Sequence, residues 1–410
     1  MSFVFSDLTR KFLPFISYGK IRGSIGQMIE PLATYQLNRN YTIGVNQWNG
    51  NFLTTEPDNL PDPNLRGSTN TERELGLEMR FLKNRVGFNV TYWDRTNKDF
   101  PINTGVPAQT GVTTLSVNAG EIAKKGWDVT AFVKPVATNN LEWEITGTWG
   151  YLTKNEVVSI YPGINRVVTA SGAFSGTSSA YLVSEINQPW GQLFGGGITK
   201  INGKPQLTSA GLFIRQADTK FGSALPQYTG GVQNNFTLFK NFTINVNIDY
   251  SYGGKFFSLS DFWGTFSGLT ARTIGRASCR ERGIPVRDPV ADGGGVHVFG
   301  VDATGKDVDY YVDAQTYFHQ FRNGNISENS VYDLTFVKLR ELSIGYRIPV
   351  DKLGIGKYVR TAVFSVVSRN PWLIYSKTRG FDPSEISAAY GEDGQLPGTR
   401  SFGVNLKLGF

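Results

Sequence analysis

The sequence predicts an all-β chain: an antiparallel transmembrane β-barrel portion of about ten long strands, with long loops on one side. Three observations carry this reading. Segments of about ten residues alternate between apolar and polar side chains. Their connections alternate between short and long. The 410 residues are poor in charge, at 18%, and rich in Gly (47) and in aromatic residues (13%), where soluble globular chains average roughly 25% charged residues and about 7% Gly. Mean hydropathy is −0.23, and no run approaches the roughly 18 consecutive apolar residues of a transmembrane helix. That excludes membrane-spanning helices but not strands, which are apolar only at every second position.

The strands are expected, in order, near 16–26, 72–82, 86–96, 122–134, 141–153, 227–239, 242–254, 332–348, 358–370 and 399–410. In the first, Ile21 and Ile25 compete with Tyr18, Lys20 and Arg22. The second presents Leu75, Leu77, Met79 and Phe81, the third Val86, Phe88, Val90 and Tyr92, the fourth Trp127, Val129, Ala131 and Val133. Trp143, Ile145, Trp149 and Tyr151 follow, then Phe242, Ile244, Val246, Ile248, Tyr250 and Tyr252. Within 332–348 the apolar face is Tyr332, Leu334, Phe336, Leu342, Ile344, Tyr346 and Ile348, interrupted by Lys338 and Arg340. The last strand is the most regular: Phe402, Val404, Leu406, Leu408 and Phe410 alternate with Ser401, Gly403, Asn405, Lys407 and Gly409. Phe402, Val404, Leu406 and Leu408 are expected to face lipid; Asn405 and Lys407 are expected to face the lumen.

Short turns fall at 83–85, 135–140, 240–241 and 349–357. Long polar stretches occupy 27–71, 98–120, 155–226, 255–330 and 371–397, with extra hairpins expected inside 181–215. Compact soluble domains rarely carry structureless connections above about 12–15 residues, whereas outer-membrane barrels pair short periplasmic turns with long extracellular loops. A soluble antiparallel sandwich would alternate in the same way. Against it stand strands well beyond the usual five or six residues, aromatic residues at strand ends (Tyr92, Trp93, Trp149, Tyr151, Tyr250, Tyr252, Phe410) and polar faces of Asn, Thr, Ser and Gly.

The net charge of +7 is spread along the sequence without a basic stripe interleaved with aromatics, so nucleic acid is not an expected partner. The N-terminal MSFVFSDLTRKFLPFISYGK lacks the basic and apolar regions of a secretory signal, which fits either a cytosolic chain or a piece of a longer one. A lone Cys279 excludes an internal disulfide framework and any Cys-based zinc site. It sits in a basic segment, Arg276–Arg282, that matches neither strand nor turn chemistry; an irregular loop is the ordinary reading and an arginine-activated thiol the functional one. No catalytic constellation emerges. His297 and His319 are isolated within 255–330, and Gly293-Gly294-Gly295 lacks the strand, helix and Lys-Ser/Thr of a phosphate loop. No cofactor is expected beyond a candidate calcium loop at Asp302, Asp307 and Asp309, for which a solvated acidic turn is the ordinary alternative. Trp48, Trp190, Phe262, Trp263, Tyr310 and Tyr311 are candidate ligand contacts that could stack on sugar faces or pack the loops together.

Several segments then resemble one family, the SusC/RagA-type TonB-dependent outer-membrane transporters. They are Pro63-Asn64-Leu65, Glu72, Glu74-Leu75-Gly76-Leu77-Glu78 and Asn84-Arg85-Val86; Asn118-Ala119-Gly120-Glu121-Ile122 with Lys125-Gly126-Trp127; and Phe239-Lys240-Asn241-Phe242. Leu339-Arg340-Glu341-Leu342-Ser343-Ile344-Gly345-Tyr346-Arg347-Ile348-Pro349 is close to a segment of that family. Arg369-Asn370-Pro371-Trp372, Phe381-Asp382-Pro383 and Pro397-Gly398-Thr399-Arg400-Ser401-Phe402 follow the order of its C-terminal landmarks. The Arg276–Arg282 segment does not resemble it.

The resemblance implies a barrel of about 22 strands, of which residues 1–410 would be the C-terminal part, without the plug domain and signal peptide. It implies the outer membrane of a Gram-negative, Bacteroidetes-like cell and import of oligosaccharides or peptides. The implied partners are outer-membrane lipid, a SusD-like surface lipoprotein and the TonB complex, the last through the missing N-terminal part. A siderophore or cobalamin receptor of the same superfamily, and a non-transporting β-rich surface adhesin, are the alternatives. Strands shaped for a wider cylinder are expected to form an open, curved sheet here. By resemblance to other outer-membrane barrels, Phe402, Val404, Leu406, Leu408 and Phe410 would also serve as a barrel assembly signal.

Overall fold

Period-2 alternation becomes one antiparallel sheet of eleven strands, each paired with the next in chain order. They are β1 (Ser2–Val4), β2 (Ile16–Glu30), β3 (Ser68–Phe81), β4 (Val86–Lys98), β5 (Glu121–Ala137), β6 (Leu141–Ser159), β7 (Tyr228–Leu238), β8 (Phe242–Tyr252), β9 (Phe336–Ile348), β10 (Thr361–Ser376) and β11 (Ser401–Gly409). This computed structural model describes residues 1–410 apart from 10–11, 175–176, 275–283, 355, 379, 387 and 390, so the Arg276–Arg282 segment with Cys279 lies outside the described residues. All ten expected strands are present, and the three-residue β1 adds an eleventh. Among the described residues no pairing joins β11 to β1 or β2, and the sheet is open.

Directly opposed residues of antiparallel strands share a face, so the registers define both surfaces of the sheet. One row runs Val404, Val366, Ile344, Ile244, Phe236, Trp143 from β11 to β6. The adjacent row on the other face runs Asn405, Ser365, Gly345, Thr243, Thr237, Glu142. Asn405 and Lys407 thus lie on the polar face, opposite Val404 and Leu406. Among the described residues no segment covers the apolar side chains of β11: Val404 is 72% and Leu406 59% exposed. A sheet meeting water on that side would expose a contiguous apolar surface far above the few hundred Å² a soluble monomer tolerates. One polar side chain on it, Asn234, is satisfied locally by accepting from Trp143 Nε1 at 3.2 Å.

Aromatic side chains gather at the two ends of this face. Near the short turns, Phe15 stacks on Phe81, Trp143 on Phe236 at 5.5 Å, and Phe242 lies 4.6 Å from Tyr346. Near the long connections, Tyr92 meets Trp127 at 5.1 Å, and Tyr151 stacks on Tyr228 at 4.7 Å. On β8 the two belts are held by Phe242 and Tyr252. That run, at about 3.3 Å per residue and a tilt near 40°, spans roughly 25 Å, the height of a lipid-facing band.

The ninth strand departs from expectation. Tyr332 and Leu334 do not extend β9; residues 331–333 pair instead with Lys255–Ser258. Asp333 forces the break, its Oδ1 accepting from Thr335 N at 3.0 Å. Further along, register shifts between Val337 and Lys338 and between Leu339 and Glu341 leave Arg340 as a bulge residue. That bulge explains why two cations interrupt the alternation.

The long connections are folded, not structureless. Residues 166–174, 177–185, 192–198 and 215–223 form a four-stranded sheet. Segment 255–335 supplies helix α1 (Leu259–Phe266), a hairpin of 296–301 with 307–312, and helix α2 (Ala314–Asn323). Helix α2 follows from Ala314, Tyr317, Phe318 and Phe321 on one face at helical spacing; helix α1 starts where Ser258 Oγ accepts from Asp261 N at 3.1 Å. Together these segments bury Leu182, Leu193, Phe257, Phe262, Val298, Phe318 and Phe321 in one cluster. A second cluster holds Ile102, Val117, Val157, Ile160 and Val167. The buried apolar core therefore sits at and beyond the long-connection end of the sheet, as a cap.

Candidate functional site

The polar face and the cap meet at the bulge in β9. The shifts place Lys338, Arg340 and Glu341 on the polar side, while Leu339 pairs on the apolar side with Ile248 and Trp372. Arg340 Nε donates to Asp249 Oδ2 at 2.7 Å. Lys338 is 1% exposed, a position an ammonium occupies only with partners. Connection 377–400 supplies them: Asp382 Oδ2 at 2.6 Å, Ser384 Oγ at 2.9 Å and Glu385 Oε1 at 3.4 Å. Burial pushes the Asp382 carboxyl up, but the bonds from Lys338 and Ser384 outweigh it and leave it below the ordinary carboxylate value. A cavity of about 310 Å³ lies beside this cluster, lined by Lys338, Asn370, Leu373, Phe381, Asp382 and Arg400. Connection 377–400 is thus fastened across part of the polar face.

A second carboxylate ties the same connection to the cap. Glu392 accepts from Ser258 Oγ at 2.7 Å, Ser260 N at 2.9 Å and Ser260 Oγ at 2.7 Å, closing the start of helix α1. Glu328 does the like for the cap sheet, accepting from Ile198 N at 2.7 Å and pairing with Lys200 at 2.6 Å. These links make the cap and 377–400 one hydrogen-bonded layer over the end of the sheet.

The candidate aromatic contacts do not form one platform. Phe262 is 2% exposed inside the main core cluster, so it is a core side chain, not a ligand contact. Trp263 and Tyr310 are half-buried against the same cluster, and Arg322 lies over the Trp263 ring at 4.6 Å. Tyr311 stacks on His297 at 4.3 Å. Trp190 packs on the second cluster with Lys124 Nζ 4.4 Å above its ring. Trp48 stands apart near the tip of the hairpin 42–48/51–55, at 71% exposure.

The three acidic residues of the candidate calcium loop are engaged separately. Asp302 accepts from Thr304 N, Thr304 Oγ1 and Lys306 N at 2.8, 2.6 and 3.1 Å, bonds that hold its carboxyl below the ordinary value. Asp307 pairs with Lys204 at 2.5 Å, and Asp309 lies 3.1 Å from His297 Nε2. Among the described residues no group of three or more His, Cys, Asp or Glu is placed to hold a metal.

Sequence reasoning missed a groove of about 490 Å³ along helix α2, lined by Leu212, Phe213, Arg215, His319, Gln320 and Asn323. Its signal was the helical spacing at 314–321, hidden because the whole of 255–330 read as loop. Apolar walls with a few convergent polar groups suit non-covalent binding of a small solute.

No profile of a known family matches the chain. Over 90% of its length it is 24% identical to TonB-dependent receptor P3 of Formosa agariphila, covering 36% of that protein. Over 96% it is 23% identical to TonB-dependent receptor P26 of the same organism, covering 39%. Among solved structures, a chain of the RagAB peptide transporter matches with a TM-score of 0.69 at 17% identity, over 99% of this chain and 42% of that one. The chain therefore spans about two-fifths of the length of the relatives it matches. In sequence the chain is thus similar to TonB-dependent receptors, and its fold is that of the matching part of the RagAB transporter chain.

Proposed function

We propose that residues 1–410 form the C-terminal part of the barrel wall, with its extracellular cap, of a SusC/RagA-type TonB-dependent nutrient importer in the outer membrane of a Gram-negative bacterium. The observation that carries this reading is the predominantly apolar face of β2 to β11, bounded by two aromatic belts and backed by a polar face that the cap partly covers. In this reading the apolar face meets acyl chains and the polar face lines the lumen. The long connections contact substrate, with Trp48 as the exposed candidate for stacking. A SusD-like lipoprotein closes over the cap, and TonB engages a plug outside this chain. In this reading the role of the chain is binding and passage. The name of the RagAB peptide transporter supports peptides as the first substrate class to test; oligosaccharides are the second.

The test is deletion of the encoding gene from its host. Loss of uptake of fluorescently labelled oligopeptides or oligosaccharides, with the protein found in outer-membrane fractions alongside a SusD-like lipoprotein, supports the reading. Recovery of the chain in the soluble fraction with unaltered uptake overturns it.

A further inference from the structure

The net charge, spread along the sequence, is gathered by the fold. Four hairpin turns at the short end, 82–85, 138–140, 239–241 and 349–360, hold Lys83, Arg85, Lys240, Lys352, Lys357 and Arg360 against the single acid Asp351, a net of +5 out of the +7 of the chain. The long connections at the other end, 31–67, 99–120, 160–227, 253–335 and 377–400, hold 18 Lys and Arg against 20 Asp and Glu. All six turn cations are exposed, and among the described residues none of their side chains makes an ion pair.

Each of three turns also carries an exposed apolar side chain beside its cations: Leu82 with Lys83, Phe239 with Lys240, and Leu353 and Tyr358 with Lys352 and Lys357. Leu82, Lys83, Phe239 and Lys240 all have positive φ, between 49° and 66°. The left-handed region is unfavourable for residues with a side chain, so these tight turns hold their cation and apolar neighbour in a defined place. That place is immediately beyond the short-turn aromatic belt formed by Phe81, Trp143, Phe236 and Phe242.

We infer that the short-turn rim is a docking surface for anionic phospholipid headgroups, with the six cations meeting the phosphates and the apolar neighbours dipping into the acyl boundary. The inference rests on the proposed barrel reading, because it needs the belt at the membrane interface. Charge complementarity selects the occupant: cations just outside an aromatic belt lie at headgroup depth, where each gains from an anionic surface and salt weakens the gain.

The test is partition of the whole importer of the proposed function, in which the barrel closes, diluted from urea into phosphatidylcholine vesicles with and without about 30 mol% phosphatidylglycerol, a content giving a strongly negative surface. The wild type should enter pure phosphatidylcholine and partition roughly tenfold more strongly when phosphatidylglycerol is present, with the gain lost near 0.5 M NaCl. A variant with Lys83→Gln, Arg85→Gln, Lys240→Gln, Lys352→Gln, Lys357→Gln and Arg360→Gln should enter phosphatidylcholine as the wild type does and show no gain. Equal partition of the wild type into both vesicles, or a full gain in the variant, overturns the inference and leaves the barrel reading standing. So does tight binding of polyglutamate without a phosphatidylglycerol effect, which would assign the rim to an acidic polypeptide. Failure to enter either vesicle overturns both.

Discussion

The ammonium of Lys338, in the wall, lies 2.6 Å from Asp382 Oδ2, in the connection between the last two strands. This pair, with Glu385 and Ser384, is the direct bond between the polar face and the segment folded over it. A buried cation deprived of counter-charge is far costlier than the pair is favourable. The bond therefore acts mainly as a constraint on where 377–400 can lie.

Replacing Lys338 by Met should loosen that segment. The loss should be roughly 2–3 kcal/mol, below the 3–5 of a fully buried pair, because both carboxylates keep some contact with water. Limited proteolysis within 377–400, against urea unfolding of the wall, measures it. Lys338→Met with Asp382→Asn should recover part of the loss. Unchanged cleavage in the single variant would show that the remaining contacts, those of Glu392, Arg340 and Asn370, suffice to fasten the segment.

The same pair sets an acid response. The Asp382 carboxyl lies below its ordinary value in the folded chain. A depressed carboxylate contributes stability fully above its unfolded pKa, about 3.9, and loses it as pH falls through the folded value. Pinning of 377–400 should be flat from neutrality to about pH 4 and weaken below. The difference in hydrogen exchange between wild type and Asp382→Asn isolates this group from other acids. A difference that grows above pH 5 instead would contradict the sign.

The two faces of β11 should respond oppositely to one substitution. Leu406→Arg in a bilayer should cost roughly 2–4 kcal/mol, while Asn405→Arg, on the polar face, should cost under about 1. Urea titration of vesicle-inserted protein compares them. Equal costs would mean that both faces meet the same medium.

Gly196→Ala tests the cap alone. A Cβ at this position would overlap the carbonyl of Asn325, where Ser327 N also donates to Gly196 O at 2.7 Å. A backbone atom cannot swing aside, so a loss of roughly 1–3 kcal/mol is expected. It should appear in the fluorescence of Trp263 and leave insertion of the wall unaffected.

Removing Phe410 from the whole importer of the proposed function probes the assembly role that resemblance to other outer-membrane barrels implies for β11. An alternating strand with a terminal aromatic can pair with an open edge of the insertion machinery by β-augmentation. A marked fall in heat-resistant barrel in the outer membrane is the expected result. Normal insertion would leave Phe410 as a member of the short-turn aromatic belt and nothing more.

The wall was legible because alternation is local: Phe242 to Tyr252 and Phe402 to Leu408 declare their faces without reference to any other segment. The bulge at Arg340 was visible only as an interruption, since nothing local says that Asp249 lies opposite. The cap was illegible for the converse reason. Its core joins Leu182 and Leu193 to Phe257, Phe318 and Ile326, residues far apart in a sequence whose intervening stretches are polar. The candidate aromatics shared that fate: Phe262 and Tyr310 have the composition of a binding loop, and only packing tells that one is interior and the other half so.

Because the buried cluster of Leu193, Phe257 and Phe318 belongs to the cap while the wall keeps its apolar side chains outward, the two parts respond to temperature by different laws. Unfolding the cap hydrates apolar surface and carries the heat-capacity increment typical of water-soluble domains. The outer face of the wall exchanges no such surface with water while it stays in lipid. In the proposed membrane setting the curvature of a calorimetric trace of the chain thus belongs to the cap, and cold weakens the cap before it touches the sheet beneath.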